Sequence, residues 1–155
     1  PLAWSSAASD VYKRQLICLS LSDSFCVERH KDEFISLIKN YVNILFGNNQ
    51  EIEAVLNGQA KEKISSLVEI AVVTNGAKGA NIFKANNSIF IPPIDGLDVL
   101  DTTGAGDLFA AGFLFGFSKK LTLDDCGKLA TKSASHIIKQ FGARPVESLS
   151  KLLIT

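Results

Sequence analysis

Apolar residues along this chain fall into short continuous runs, and between them come segments where they recur every three or four positions. That alternation predicts buried strands interleaved with amphipathic helices. The first run, Leu16-Ile-Cys-Leu-Ser-Leu21, is bounded by Ser-Asp-Ser and reads as a buried strand. Over 28–42, Phe34, Leu37, Ile38 and Tyr41 keep helical spacing and predict a helix. Asn43-Ile-Leu-Phe-Gly47 is a second strand run, and Asn48-Asn-Gln-Glu51 opens another helix. A further helix is expected over roughly 60–68, with Ile64, Leu67 and Val68 on one face. Ile70-Ala-Val-Val-Thr74 is a third strand, ended by Asn75-Gly76. Two short strands near 80–85 and 88–91 predict a hairpin turning at Asn86-Asn87. The stretch 92–100 carries Pro92-Pro93, and beyond it Leu108 to Phe117 is apolar enough for a buried helix at about 105–118. Helices near 122–141 and 147–153 complete the pattern.

Strands alternating with helices predict an α/β layered domain with a largely parallel sheet. Ligands of such sheets bind at the carboxyl ends of the strands. Three polar stretches fall at those ends: Asn48 to Glu51, Thr74 to Gly79, and Asp101 to Asp107. Segments far apart in sequence are therefore expected to meet on one rim.

Composition narrows the partners. Lys plus Arg equals Asp plus Glu at 16 each, so the basic excess that nucleic acid or a membrane surface would require is missing. No run reaches the ~20 apolar residues that span a bilayer. Cys18, Cys26 and Cys126 are scattered without CxxC spacing, which suggests reduced thiols in a cytoplasmic protein instead of a disulfide framework or a zinc site. His30 and His136 lack metal-ligand spacing. Residues 1–15 read differently from the rest: they hold the only Trp, are rich in Ser and Ala, and have neither the basic start nor the apolar core of a signal peptide. They are expected to be a non-native leader of the adaptor or assembly-junction kind, with the domain proper at 16–155.

The chemistry concentrates in Asp101-Thr102-Thr103-Gly104-Ala105-Gly106-Asp107. Two glycines at a loop-to-helix junction let the backbone turn tightly and approach a ligand. The first amides of the helix lack intrahelical partners and carry the positive end of the dipole, so phosphate or a developing anion is favoured there. Asp107 is also a normal first-turn capping residue, and that reading stands beside the catalytic one. The string is no dinucleotide fingerprint, since Phe109 occupies the third glycine position, and no Gly-Lys-Ser/Thr follows to make a Walker A loop. Thr74-Asn-Gly-Ala-Lys-Gly79 fits a phosphate-lining turn or an ordinary glycine turn into a hairpin. Asn48 with Glu51 three residues on fits a metal-ordering pair or a capping box.

The seven-residue string resembles, residue for residue, the signature of the PfkB/ribokinase family of sugar and nucleoside kinases. The resemblance implies a ribokinase-like three-layer α/β/α sandwich, of which residues 16–155 would be the C-terminal, ATP-binding half. It implies that Gly104, Ala105 and Gly106 form an anion hole for the transferring phosphoryl group and that Asp107 is the base that deprotonates the acceptor hydroxyl. Thr74, Gly76 and Gly79 would line the ATP phosphates and ribose, with Lys78 a candidate phosphate partner or a solvated lysine. Asn48 and Glu51 would order Mg²⁺ and its waters. Phe141-Gly-Ala-Arg-Pro145 is similar to the loop, including Gly142, that closes the adenine and monovalent-cation site. Asp101 and Thr103 stand where some members bind K⁺, while the ribokinase-type Ser of that loop is Val146 here, which weakens the case for potassium.

The implied reaction transfers the γ-phosphoryl group of ATP to a primary hydroxyl of a small molecule. The stretch from Leu19 to Phe34 resembles bacterial adenosine-kinase-like members, so adenosine or a related nucleoside comes first and ribose or another sugar second. Complete members are around twice this length, so the chain is expected to be inactive alone; the resemblance leaves a homodimer of the full-length protein open. A non-catalytic nucleotide-binding or interaction module is the competing expectation.

Overall fold

The computed structural model describes residues 15–59 and 61–149. The leader expected over 1–15 lies outside the described residues except for Gln15, and the helix expected over 147–153 lies mostly outside them.

A five-stranded sheet runs in the order β1 (Cys18–Ser20), β2 (Ile44–Asn48), β3 (Ile70–Thr74), β4 (Ala80–Lys84), β5 (Asn87–Ile91). The first three strands are mutually parallel, whereas β3–β4 and β4–β5 pair antiparallel. The sheet is thus mixed: the expected hairpin, once it folds back on β3, must bring antiparallel pairing with it.

Side chains alternate across strands, and the two faces divide accordingly. Leu45, Ala71, Val73 and Phe83 form one core with α1 (Ser24–Arg29), α2 (Lys31–Tyr41), α3 (Asn49–Leu56) and a 3₁₀ turn (Lys61–Ser66), contributing Val27, Ile38, Ile52 and Ile64. Ile44, Phe46, Ile70, Val72 and Ile82 form the other with α4 (Ala105–Ser118) and α5 (Leu123–Ile137), through Phe109, Phe113, Cys126 and Ala130. Helices therefore cover both faces, giving three α/β/α layers. Phe113, fully buried, meets Phe46 edge-on at 5.5 Å between ring centroids and so seats α4 on the sheet.

Several boundaries differ from expectation for local reasons. The helix expected over 28–42 is two: Asp23 caps Phe25 N at 2.7 Å and starts α1 early, and the chain breaks at His30 (φ −119°, ψ 36°). The segment expected as a helix over 60–68 is 3₁₀ from Lys61 to Ser66, a geometry suited to short pieces, and it still buries Ile64 and Val68. The hairpin turns one residue early, with Lys84 opposite Asn87 and Ala85 at φ 51°. Helix α5 ends at Ile137, short of 141, because the next carbonyl, that of Ile138, accepts the amides of Leu100 (2.8 Å) and Asp101 (3.3 Å).

Candidate active site

The carboxyl ends of β2 and β3 lie side by side, with Asn48 in register with Thr74. At the first of them, α3 starts with a reciprocal capping box. Asn48 Oδ1 accepts the Glu51 amide at 2.9 Å, and Glu51 Oε2 accepts the Asn48 amide at 2.8 Å. Asn48 Nδ2 donates to Glu51 Oε1 at 2.8 Å, so both oxygens of this buried carboxylate already have donors within the chain. A side-chain bond from Asn49 to Asn75 ties this corner to the turn after β3. In that turn Gly79 has φ 87°, and an added Cβ would stand 2.2 Å from the Ile91 carbonyl oxygen. Only glycine fits.

The start of α4 is built differently. Gly104, at φ 79°, is the cap residue and supplies no side-chain acceptor. Thr102 O takes the Ala105 amide, but the amides of Gly104, Gly106 and Asp107 have no acceptor among the described residues. Asp107 is exposed in the first turn beside them. The loop is held from behind. Asp101 Oδ1 accepts the Thr103 hydroxyl (2.6 Å) and amide (2.8 Å), and Oδ2 accepts the Gly142 amide at 2.8 Å from 41 residues away. These bonds, the Thr103 hydroxyl foremost, hold the Asp101 carboxyl below the usual carboxylate range. Ala143 lies so close that a Cβ on Gly104 would be 2.8 Å from its Cβ.

Between the β3 turn and α4 opens a cavity of about 560 Å³. Of the residues singled out from the sequence, Thr74, Gly76, Gly79, Ala105 and Gly106 line it. Asp101, Thr103, Gly104 and Gly142 stand behind its α4 end as a linked group, and Asn48 with Glu51 adjoins its β3 end through Thr74 and Asn75. Lys78 is exposed and is not part of the lining. Sequence reasoning missed the wall from Pro93 to Val99, largely apolar but including Asp95, and the stripe Thr131, Ala134, Ser135 and Ile138 along α5 and its C-cap. Positions 131, 134, 135 and 138 share one helical face at i, i+3, i+4 and i+7, and that spacing was the available signal. Among the described residues no three His, Cys, Asp or Glu side chains converge as a metal site. The Glu51 corner offers oxygen donors, one carboxylate and one amide, of the kind a hard cation such as Mg²⁺ takes. No helix among the described residues is long and apolar enough to cross a membrane.

Residues 1–149 match the model of the pfkB family of carbohydrate kinases. The chain belongs to the PfkB family. An uncharacterized sugar kinase of Archaeoglobus fulgidus is 36% identical over 121 residues, which is 76% of this chain and 48% of that protein. A nucleoside kinase of Methanocaldococcus jannaschii is 33% identical over 119 residues, 75% of this chain and 39% of its own. Among solved structures, a probable sugar kinase from Rhizobium etli superposes with a TM-score of 0.86 at 39% identity, covering 91% of this chain and 44% of that one. An adenosine kinase from Sinorhizobium meliloti gives 0.86 at 34% identity, covering 90% and 44%. This PfkB chain thus spans a little under half the length of these relatives. Family membership bears out the resemblance drawn from the Asp101–Asp107 string.

Proposed function

We propose that this chain is the nucleotide-binding half of an ATP-dependent phosphotransferase that acts on a primary hydroxyl of a nucleoside, with a sugar as the second reading. The observation that carries the proposal is the open start of α4, where unclaimed amides and the Asp107 carboxylate share one helical turn at the mouth of an apolar cavity. The nucleoside part of ATP occupies the cavity, and the phosphates extend to the amides of Gly104, Gly106 and Asp107. Sugar, nucleoside and adenosine kinases among the relatives support this class of acceptor.

Phosphoryl transfer is mostly positioning and stabilisation of spread negative charge. The α4 amides meet the oxygens of the transferring group and hold it in line. Asp107 accepts the acceptor hydroxyl's proton as that oxygen bonds to phosphorus and the bond to the departing ADP oxygen breaks. Asn48 and Glu51 would hold Mg²⁺, which would supply further charge neutralisation. Asp101 fixes the loop through three donors, and we assign it no cation. The hydroxyl-bearing acceptor is gripped by sequence that the relatives have beyond this span, so the chain alone does not turn over.

In a complete enzyme containing this half, Asp107→Asn lowers turnover by about 10²–10⁴-fold, the usual worth of a positioned base, and leaves ATP affinity unchanged. Comparable turnover in the variant would sink the assignment.

A further inference from the structure

Helix α5 carries hydroxyl side chains that fare differently. Ser133 is buried and donates to the Leu129 carbonyl at 2.9 Å, while Thr131 donates to Gly127 at 3.1 Å. Both discharge their protons on the preceding turn of their own helix, a common resolution for hydroxyls inside helices. Ser135 does not. It is only 8% exposed, it lines the cavity, and its hydroxyl has no hydrogen-bond partner among the described residues. No fully enclosed polar side-chain atom among those residues lacks a partner, so the Ser135 oxygen faces the open space of the cavity.

Its surroundings there are mostly apolar, with Thr74, Asp95, Thr102 and Thr131 the other polar residues of the lining. Ile138 and Ala134 flank it on the helix, and Phe109, Ile94 and Leu97 supply other parts of the wall. A hydroxyl open to such a cavity is met by water in the empty protein and is free to exchange it for a ligand group. Such a wall grips a flat apolar body by shape, and the few polar groups within it, Ser135 among them, fix orientation.

We infer that Ser135 is a specificity-determining residue that hydrogen-bonds the nucleoside portion of the bound nucleotide. This rests on the reading of the cavity as the nucleotide site. A hydroxyl both donates and accepts, so it can pair with either kind of heteroatom on a base or ribose. The same group has no partner within the empty chain and gains one in the occupied site. Its removal should therefore lower affinity without lowering stability.

The test uses the full chain, wild type and Ser135→Ala, with ADP and tripolyphosphate titrated calorimetrically and the thermal midpoint of the empty protein measured alongside. The expected result is ADP affinity about fivefold weaker in the variant, the worth of one neutral hydrogen bond. Tripolyphosphate affinity stays unchanged, and the empty-protein midpoint stays level or rises. Unchanged ADP affinity overturns the inference and leaves the nucleotide reading standing. Equal weakening toward tripolyphosphate overturns it by placing the contact on phosphate. A lowered midpoint in the empty variant overturns it by giving Ser135 a structural role. A wild-type chain that melts cooperatively yet binds neither ADP nor ATP overturns the nucleotide reading itself.

Discussion

Two helices begin at neighbouring points of the same rim and treat their first amides in opposite ways. Helix α3 caps itself: Asn48 and Glu51 exchange backbone and side-chain bonds, so the amides of both residues are satisfied within the chain. Helix α4 starts on a left-handed glycine with no side-chain cap. A side-chain cap typically stabilises by about 1 kcal/mol, and α4 forgoes it. Its loop is steadied from outside, by Asp101 reaching Gly142 and by Ala143 packed on Gly104. The rim thus separates two ways of starting a helix: α3 spends polar groups on its cap, and α4 leaves amides without acceptors among the described residues.

Substitutions can break this contrast, the severest at α4. Gly104→Ala puts a side chain at φ 79° and drives a Cβ to within 2.9 Å of the Ala143 Cα. Strain of both kinds should cost on the order of 3 kcal/mol in chemical denaturation and abolish nucleotide binding. A neutral effect would mean the 141–145 loop does not brace this helix start.

Asn48→Ala removes the α3 cap and strips one donor, Nδ2, from the buried Glu51 carboxylate. A loss of about 1–2 kcal/mol is expected, read by the same denaturation. Affinity for tripolyphosphate measured without Mg²⁺ should hold, since the α4 amides are untouched. A fall in that affinity would show the two helix starts to be one site.

The smallest effect concerns pH. Because the folded Asp101 carboxyl titrates below its unfolded value, its contribution is complete above the ordinary carboxylate pKa and is lost as pH falls through the lowered folded value. Asp101→Asn should flatten that part of the acid-side decline in the thermal midpoint between about pH 5 and pH 2. An unchanged acid profile would show that the Thr103 and Gly142 bonds do not bias its protonation.

How much of this was legible in the sequence follows from how local each feature is. The limits of α4 could be read because a near-continuous apolar run begins just past Gly104-Ala-Gly. The Asn48–Glu51 pair was legible as a choice between a cap and a metal site, and the structure shows the cap bonds formed. The layered α/β class followed from strand and helix periodicities, and the three-layer arrangement from the family resemblance. The Asp101–Gly142 bond joins segments 41 residues apart, and no local pattern announces it. The same holds for the end of α5, set by amides from residues 100 and 101, and for Ser135, whose lack of a partner is visible only once the cavity exists. The break at His30 escaped because apolar spacing continues across it, while the earlier cap, Asp23, lay outside the window of that periodicity.

The central claim is that the open start of α4 holds phosphate. Comparing the affinities of the wild-type chain for ATP and for adenosine tests it most directly. The account predicts that ATP binds at least tenfold more tightly, about 1.4 kcal/mol, and that Gly104→Ala erases the difference. Equal affinity of the wild-type chain for ATP and adenosine would contradict it.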